Sequence, residues 1–253
     1  MYWLNHLTSD KEMEFLDQIV KISFAEQIAE KLRKQILSGA LKPGEKLPSE
    51  RDLAVQFGTN RNTLREAIRF LEGLKLVTVR QGAGVTVADF HNEGDMALLP
   101  YFIMEGGDIP ERRAALADAL ALRRTVLSSA AELAAERRTE EDIAAMKEKI
   151  QKIRTIALDE DVALEDLEFY HTLVKSAHSL VSKWMFNTFL SVYIKALPVA
   201  KSIWVTPPNY LDGLLSLVAA IEKSDSEKAG EIIKSNLGAS DEIVLDKLST
   251  IFR

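Results

Sequence analysis

Residues 49–87 read SERDLAVQFGTNRNTLREAIRFLEGLKLVTVRQGAGVTV, and this stretch decides the fold of the first third of the chain. Ser49 stands three residues before Asp52, close to capping-box spacing, so a helix starts there. Leu53, Ala54 and Phe57 give that helix an apolar face, and Gly58 stops it. Thr59 or Asn60 caps the next helix, where Leu64, Ala67, Ile68 and Leu71 fall at i, i+3, i+4 and i+7 and share one buried face. Leu76–Arg80 and Val85–Val87 alternate apolar and polar residues around Gln81-Gly82-Ala83-Gly84, the pattern of a hairpin with a glycine-rich tip. Upstream, Phe24, Ile28, Leu32 and Ile36 recur every four residues beside Ala25 and Ala29, which predicts a helix ending at Gly39. Lys42-Pro43-Gly44 is a turn. Three helices and a hairpin make a winged helix-turn-helix over residues 23–88, preceded by a leader at 1–22.

Residues 89–95 read as a polar linker. Beyond it the pattern is helical, over roughly 95–105, 112–137, 139–157, 160–177, 180–197, 208–223 and 225–252. Asp108-Ile109-Pro110, Thr139, Asp159 and Pro207-Pro208 punctuate these segments. No alternating strand pattern of useful length occurs, so residues 96–253 are expected to form an all-α bundle of six or seven helices, and the protein is mainly α.

Charge separates the two parts. Between Lys21 and Ala88 stand 12 Lys and Arg against 7 Asp and Glu, a surplus of five positive charges on a chain of net charge −6; the rest carries −11. That asymmetry suits a basic, phosphate-facing module joined to an acidic one. No run approaches the ~18 apolar residues of a membrane span, and MYWLNHLTSDKEMEF carries no secretory pattern. The chain has no cysteine, which excludes disulfides and thiolate metal sites. A cytoplasmic protein is expected.

With Leu64, Ala67, Ile68 and Leu71 turned inward, Arg61, Asn62, Arg65 and Arg69 point elsewhere. Arg61, Asn62 and Arg65 occupy the first two turns, the end by which a recognition helix meets base edges. Arginine offers paired donors to guanine O6 and N7, and asparagine pairs with adenine. Thr63 and the amides at the helix start suit a phosphate. Arg51 on the preceding helix would lie near the groove edge, and the wing tip at Gly82 and Gly84 lets the backbone approach closely. Arg69, between Glu66 and Glu72, is better suited to an ion pair.

The run AEQIAEKLRKQILSGALKPGEKLPSERDLAVQFGTNRNTLREAIRFLEGLKLVTVRQGAGVTV resembles the N-terminal domain of GntR-type bacterial transcription regulators, over about 65 residues. The helical segments DALALRRTVLSSAAELAAER, DLEFYHTLVKSAHS and LLSLVAAIEKSDSEKAGEIIKSNL resemble the ligand-binding bundle of the FadR branch. The resemblance implies DNA contacts at Arg51, Asn60, Arg61, Asn62, Thr63 and Arg65, with Gln81 and Gly82 in the wing. Asn60 stands where the family usually has Ser. It also implies a homodimer on a palindromic operator, the two-fold of the protein matching that of the site.

Many bundles of this branch hold a divalent metal with one Asp and three His. Here Asp166 matches the Asp, but Tyr170, Leu214 and Asn236 stand at the His positions, and His171 is displaced by one residue. That donor set does not suit a first-row metal, so no metal and no cofactor are expected. His171 and His178 share a face and are read as exposed or core-edge residues. Effector recognition then falls to Arg123 or Arg124 for an anionic or acyl-type molecule, with Asp166, Tyr170, Tyr193, Trp204 and Asn236 as polar or aromatic lining. For Tyr193 and Trp204, core packing is an equal alternative. A constitutive dimeric DNA-binding protein without effector is the competing reading. An enzyme with an appended head is a weaker one, since no His-Glu-x-x-His, Gly-x-Ser-x-Gly or phosphate loop occurs.

Overall fold

The computed structural model describes residues 23–156, 159–203 and 209–251. The chain divides into two compact units, with the boundary between Gly94 and Asp95.

In the first unit, α1 spans Phe24–Leu37, α2 Glu50–Gln56 and α3 Arg61–Gly73, followed by β1 at Val77–Arg80 and β2 at Gly84–Val87. Helix α1 begins in a full capping box. Ser23 Oγ accepts from the Glu26 amide at 3.1 Å, and the Ser23 amide donates to Glu26 Oε2 at 2.7 Å. Ile28, Leu32 and Ile36 are buried as expected, but Phe24 is 48% exposed. Phe24 is the first residue of the helix, and the buried face starts one residue later, at Ala25. Phe57, expected on the apolar face of α2, is its half-exposed C-cap, with the Lys31 ammonium 5.6 Å from its ring centre.

Helix α3 closes in a Schellman motif. The Leu76 amide donates to Leu71 O at 3.0 Å and the Lys75 amide to Glu72 O at 2.9 Å, with Lys75 at φ 57° in the place usually held by Gly. The hairpin pairs Val77 with Val87 and Arg80 with Gly84. Its tip is a β-turn in which the Ala83 amide donates to Arg80 O at 3.0 Å. Gly82 takes φ 78° at the turn's third residue, where a type II turn needs a positive φ. One feature was hidden from the sequence pattern: Gly44–Leu47 runs along β2, with the Leu47 amide donating to Val85 O and the Val87 amide to Glu45 O, both at 2.9 Å. The linker is also more structured than its polarity suggests. Phe90–Glu93 form a helical turn, α4, and Ala88 and Phe90 are buried.

The second unit holds a 3-10 turn at Met96–Leu98 and seven helices among the described residues. These are α5 Leu99–Glu105, α6 Ile109–Arg137, α7 Glu140–Thr155, α8 Asp159–Ser176, α9 Leu180–Ile203, α10 Tyr210–Glu222 and α11 Ser226–Ile251. Helix α6 starts three residues earlier than the sequence suggested. Asp108 caps it, accepting from the Glu111 amide at 2.8 Å, and Pro110 sits in the first turn, where a missing N–H costs nothing. Helix α9 runs through Pro198 to Ile203 rather than ending at 197. The dominant pairing is α6 on α11. The approach is close at Gly230, whose carbonyl accepts from Ser128 Oγ at 3.2 Å and where a Cβ would come within 2.3 Å of the Glu132 side chain, and Ala130, Ala131, Ala134, Ala135 and Ala229 are all fully buried. Helix α8 buries Phe169, Leu173 and Val174 against α6 and α7.

Candidate functional site

The head presents its polar side as the sequence indicated. Leu64, Ala67, Ile68 and Leu71 are buried, while Arg51, Asn60, Arg61, Asn62, Arg65, Gln81 and Gly82 are exposed and Thr63 is half-exposed. The start of α3 differs in one respect from expectation. Asn60 Oδ1 accepts from the amides of Asn62 and Thr63 at 2.9 and 3.0 Å. Those two donors are therefore already satisfied by the cap, as in any well-capped helix. The Thr63 hydroxyl also donates to Asn60 Oδ1, at 3.4 Å, and Asn60 keeps its Nδ2 for an outside partner.

Two residues join this face that the sequence reading missed. Glu50, at the start of α2, accepts from Arg65 Nε at 2.8 Å, which holds the guanidinium while neither Nη group has a partner among the described residues. The pairing spans 15 residues, beyond any helical periodicity. Arg80 is exposed at the base of the wing tip, and the alternation of β1 could have revealed it. Among the described residues Arg69 makes no ion pair. Its neighbour Glu72 accepts instead from the wing amide of Val79, at 3.3 Å.

In the bundle, Arg123 on α6, Asp166 and Tyr170 on α8, and Tyr193 on α9 come together on the wall of a cavity of about 190 Å³. The remaining lining is apolar, drawn from α5, α6, α8, α9 and α11 and including Leu99, Ile103, Leu120, Leu127, Phe186 and Leu190. Arg123 was expected to await an anion, but it is already engaged. Arg123 Nη2 and Arg124 Nη1 donate to the two carboxylate oxygens of Asp241, at 2.6 and 2.9 Å, and Asp241 is 2% exposed. Burial pushes the Asp241 carboxyl up, and the two guanidiniums pull it back. Two buried polar atoms at this wall have no partner among the described residues, Arg123 Nε and Tyr193 Oη.

Asp166 accepts a hydrogen bond from Tyr210 on α10. Burial raises its pKa from the ordinary 3.8 to about 6, against the opposing pull of the Tyr210 bond and of Arg123. The Tyr193 phenol is pushed up to about 12, first by burial and then by the Asp166 charge. Tyr170 and Tyr210 are raised for the same two reasons, so all three phenols stay protonated at neutral pH.

The other two effector candidates fall elsewhere. Asn236 lines a separate open cleft with Tyr210 and Ser216, its amide packed on Gly213, where a Cβ would come within 2.6 Å. Trp204 lies outside the described residues. The positions that would carry a metal in related bundles do not fit one here. Leu214 is fully buried, Asn236 is packed away in its cleft, and Asp166 is bonded by Tyr210. Among the described residues no three His, Asp or Glu cluster as ligands. His171 is half-buried and stacks on Phe186, with ring centres 5.9 Å apart at 10°. Burial, then Lys175, lowers its pKa. His178 pairs with Asp142 at 2.7 Å.

A winged head with an arginine-lined recognition helix, and an all-α unit built round a cavity, define a DNA-binding regulator of transcription. Residues 24–87 match the family described as bacterial regulatory proteins, gntR family, and residues 118–239 match the FCD domain. The chain belongs to the GntR family, with a C-terminal domain of the FCD type. It is 30% identical to the HTH-type transcriptional regulator Mce2R of Mycobacterium tuberculosis, over 85% of this chain and 90% of that one. It is 27% identical to the galactonate operon transcriptional repressor of Escherichia coli, over 83% and 91%. Lar, a solved structure connected with the Listeria monocytogenes agr system, shares the fold. It matches with a TM-score of 0.55 at 17% identity, over 88% of this chain and 97% of that one. No helix among the described residues is long and apolar enough to cross a membrane.

Proposed function

We propose that the protein is a ligand-responsive regulator that binds a palindromic operator as a homodimer, in the cytoplasm, and performs no enzymatic reaction. Residues 23–88 act as the DNA-binding head. Arg61, Asn62 and Arg65 read bases, Arg51, Asn60 and Thr63 contact backbone, and Gln81 and Gly82 approach from the wing. Residues 96–253 hold the effector and the dimer contact. Leu180, Val181, Trp184 and Met185 fall on one face of α9 and are exposed, and this face offers apolar surface to a second copy.

The effector half of this reading rests on one observation. An apolar cavity carries two buried polar atoms, Arg123 Nε and Tyr193 Oη, that nothing among the described residues satisfies. Such atoms cost free energy when left unpaired, and a resident molecule would pair them. Effector binding would favour one placement of the two heads and alter operator affinity through a coupling of ~1–3 kcal/mol. The test is to select a binding site from a random duplex library with the full-length protein, then to measure affinity by anisotropy and assembly by light scattering. A selected palindrome bound by a dimer supports the reading. A non-palindromic site bound by a monomer contradicts it.

A further inference from the structure

The chemistry of the cavity wall narrows what can occupy it. At about 190 Å³ it is modestly larger than a ~150 Å³ apolar cavity that accepts benzene, so it holds on the order of ten non-hydrogen atoms. A coenzyme A thioester exceeds that several-fold. A polyhydroxylated acid fits in size but not in kind, because its hydroxyls would face Leu120, Leu127, Phe186 and Leu190 with nothing to bond.

Charge narrows it further. Arg123, the cation on the wall, gives Nη2 to Asp241, whose other oxygen is held by Arg124 Nη1. Asp166 supplies the carboxyl on the wall itself and is bonded by Tyr210. The wall's one cation, Arg123, therefore already faces two carboxyls, and a carboxylate ligand would arrive as a third anion beside it, a costly burial. What the wall does lack is an acceptor: Arg123 Nε can only donate, and Tyr193 Oη can donate too.

We infer that the cavity takes a small, uncharged, largely apolar molecule bearing one oxygen acceptor, which receives hydrogen bonds from Arg123 Nε and Tyr193 Oη. This rests on the reading of the cavity as the effector site and specifies its ligand class. Tyr193 is the residue that discriminates an oxygenated ligand from a plain hydrocarbon of the same shape.

Four probes test it by calorimetry on the full-length protein at pH 8, where Asp166 is ionised: benzyl alcohol, benzoate, toluene and gluconate. Benzyl alcohol should bind at least tenfold more tightly than benzoate or toluene, and gluconate should not bind. Tyr193→Phe removes an unpaired buried hydroxyl and keeps the ring, so folding is preserved. It should bring benzyl alcohol down to the level of toluene and leave toluene unchanged. Benzoate equal to or tighter than benzyl alcohol overturns the assignment, as does an unchanged benzyl alcohol affinity in Tyr193→Phe, or binding of none of the probes. Operator anisotropy with each bound probe separates the two claims. Tight benzyl alcohol binding without any change in DNA affinity refutes the effector reading and leaves the ligand class standing. A change in DNA affinity driven by benzoate alone does the reverse.

Discussion

The Arg65–Glu50 pair makes the sharpest claim about DNA recognition. Arg65 Nε is held by Glu50 Oε2 at 2.8 Å, and the arginine side chain remains 56% exposed. The guanidinium is thus aimed without being used up. If its two Nη groups take a guanine edge, Arg65→Ala removes a bidentate contact worth ~1–3 kcal/mol, a loss of roughly 5- to 150-fold for the selected operator. The loss appears in the ratio of specific to non-specific affinity. Folding stability should move by under about 0.5 kcal/mol, because Arg65 is a surface residue. Glu50→Gln acts with two signs. Removing a negative charge near a polyanion strengthens non-specific binding, while freeing Arg65 weakens discrimination by up to about 1 kcal/mol, the scale of an exposed pair. In the Arg65→Ala background Glu50→Gln should leave the specificity ratio untouched. The assay is fluorescence anisotropy with operator and scrambled duplexes at several salt concentrations, run on the wild type, both single variants and the double variant. Two results refute the reasoning. One is an Arg65→Ala ratio equal to that of the wild type with the slope of log K against log salt reduced by about one, which would make Arg65 a phosphate contact. The other is an equal effect of Glu50→Gln with and without Arg65.

Three further outcomes follow from the same geometry. Asp166 has its pKa raised from 3.8 to about 6 in the folded state, so the native protein binds the extra proton between those values. Its ionisation costs stability as pH rises through that window. Urea denaturation should therefore show Asp166→Asn gaining on the wild type from pH 4 to pH 7.5, by on the order of 3 kcal/mol at most, and a constant difference would contradict the burial argument. Lys75 holds the left-handed position of the Schellman motif at φ 57°, so Lys75→Gly should raise the thermal stability of the head by about 0.5–1 kcal/mol, and a loss would mean the lysine side chain contributes more than its backbone costs. Trp184→Asp on the exposed face of α9 should shift the protein toward monomer in light scattering at micromolar concentration and weaken operator binding with it; a dimer unaffected by the substitution moves the contact elsewhere.

The head was legible because its determinants are local. The apolar i, i+3, i+4, i+7 set of α3, the Asn60 cap and the glycine-bearing tip each lie within a few residues of one another, and the structure keeps all three. Where local rules compete, the reading slipped. Phe24 fits the four-residue spacing of α1 yet sits before the core begins. Pro110 and Pro198 both look like stops, but the first occupies an N-terminal turn and the second lies inside α9. The run Gly44–Leu47 carries no alternation of its own, since its pairing is dictated by β2.

The cavity shows the limit more clearly. Arg123, Asp166, Tyr170 and Tyr193 could be picked out one by one as residues able to face a ligand, and the fold brings those four together. Their joint chemistry could not be picked out that way. Asp241 lies 118 residues from Arg123, and Tyr210 lies 44 from Asp166, so neither partner leaves a trace in any spacing near the site. An isolated arginine in a pocket argues for an anionic ligand. The same arginine with one outer nitrogen on a buried aspartate, and its buried Nε left to donate, argues for a neutral acceptor. The sign of the ligand's charge is a property of the assembled wall, and Asp241 on α11 sets it for Arg123 on α6.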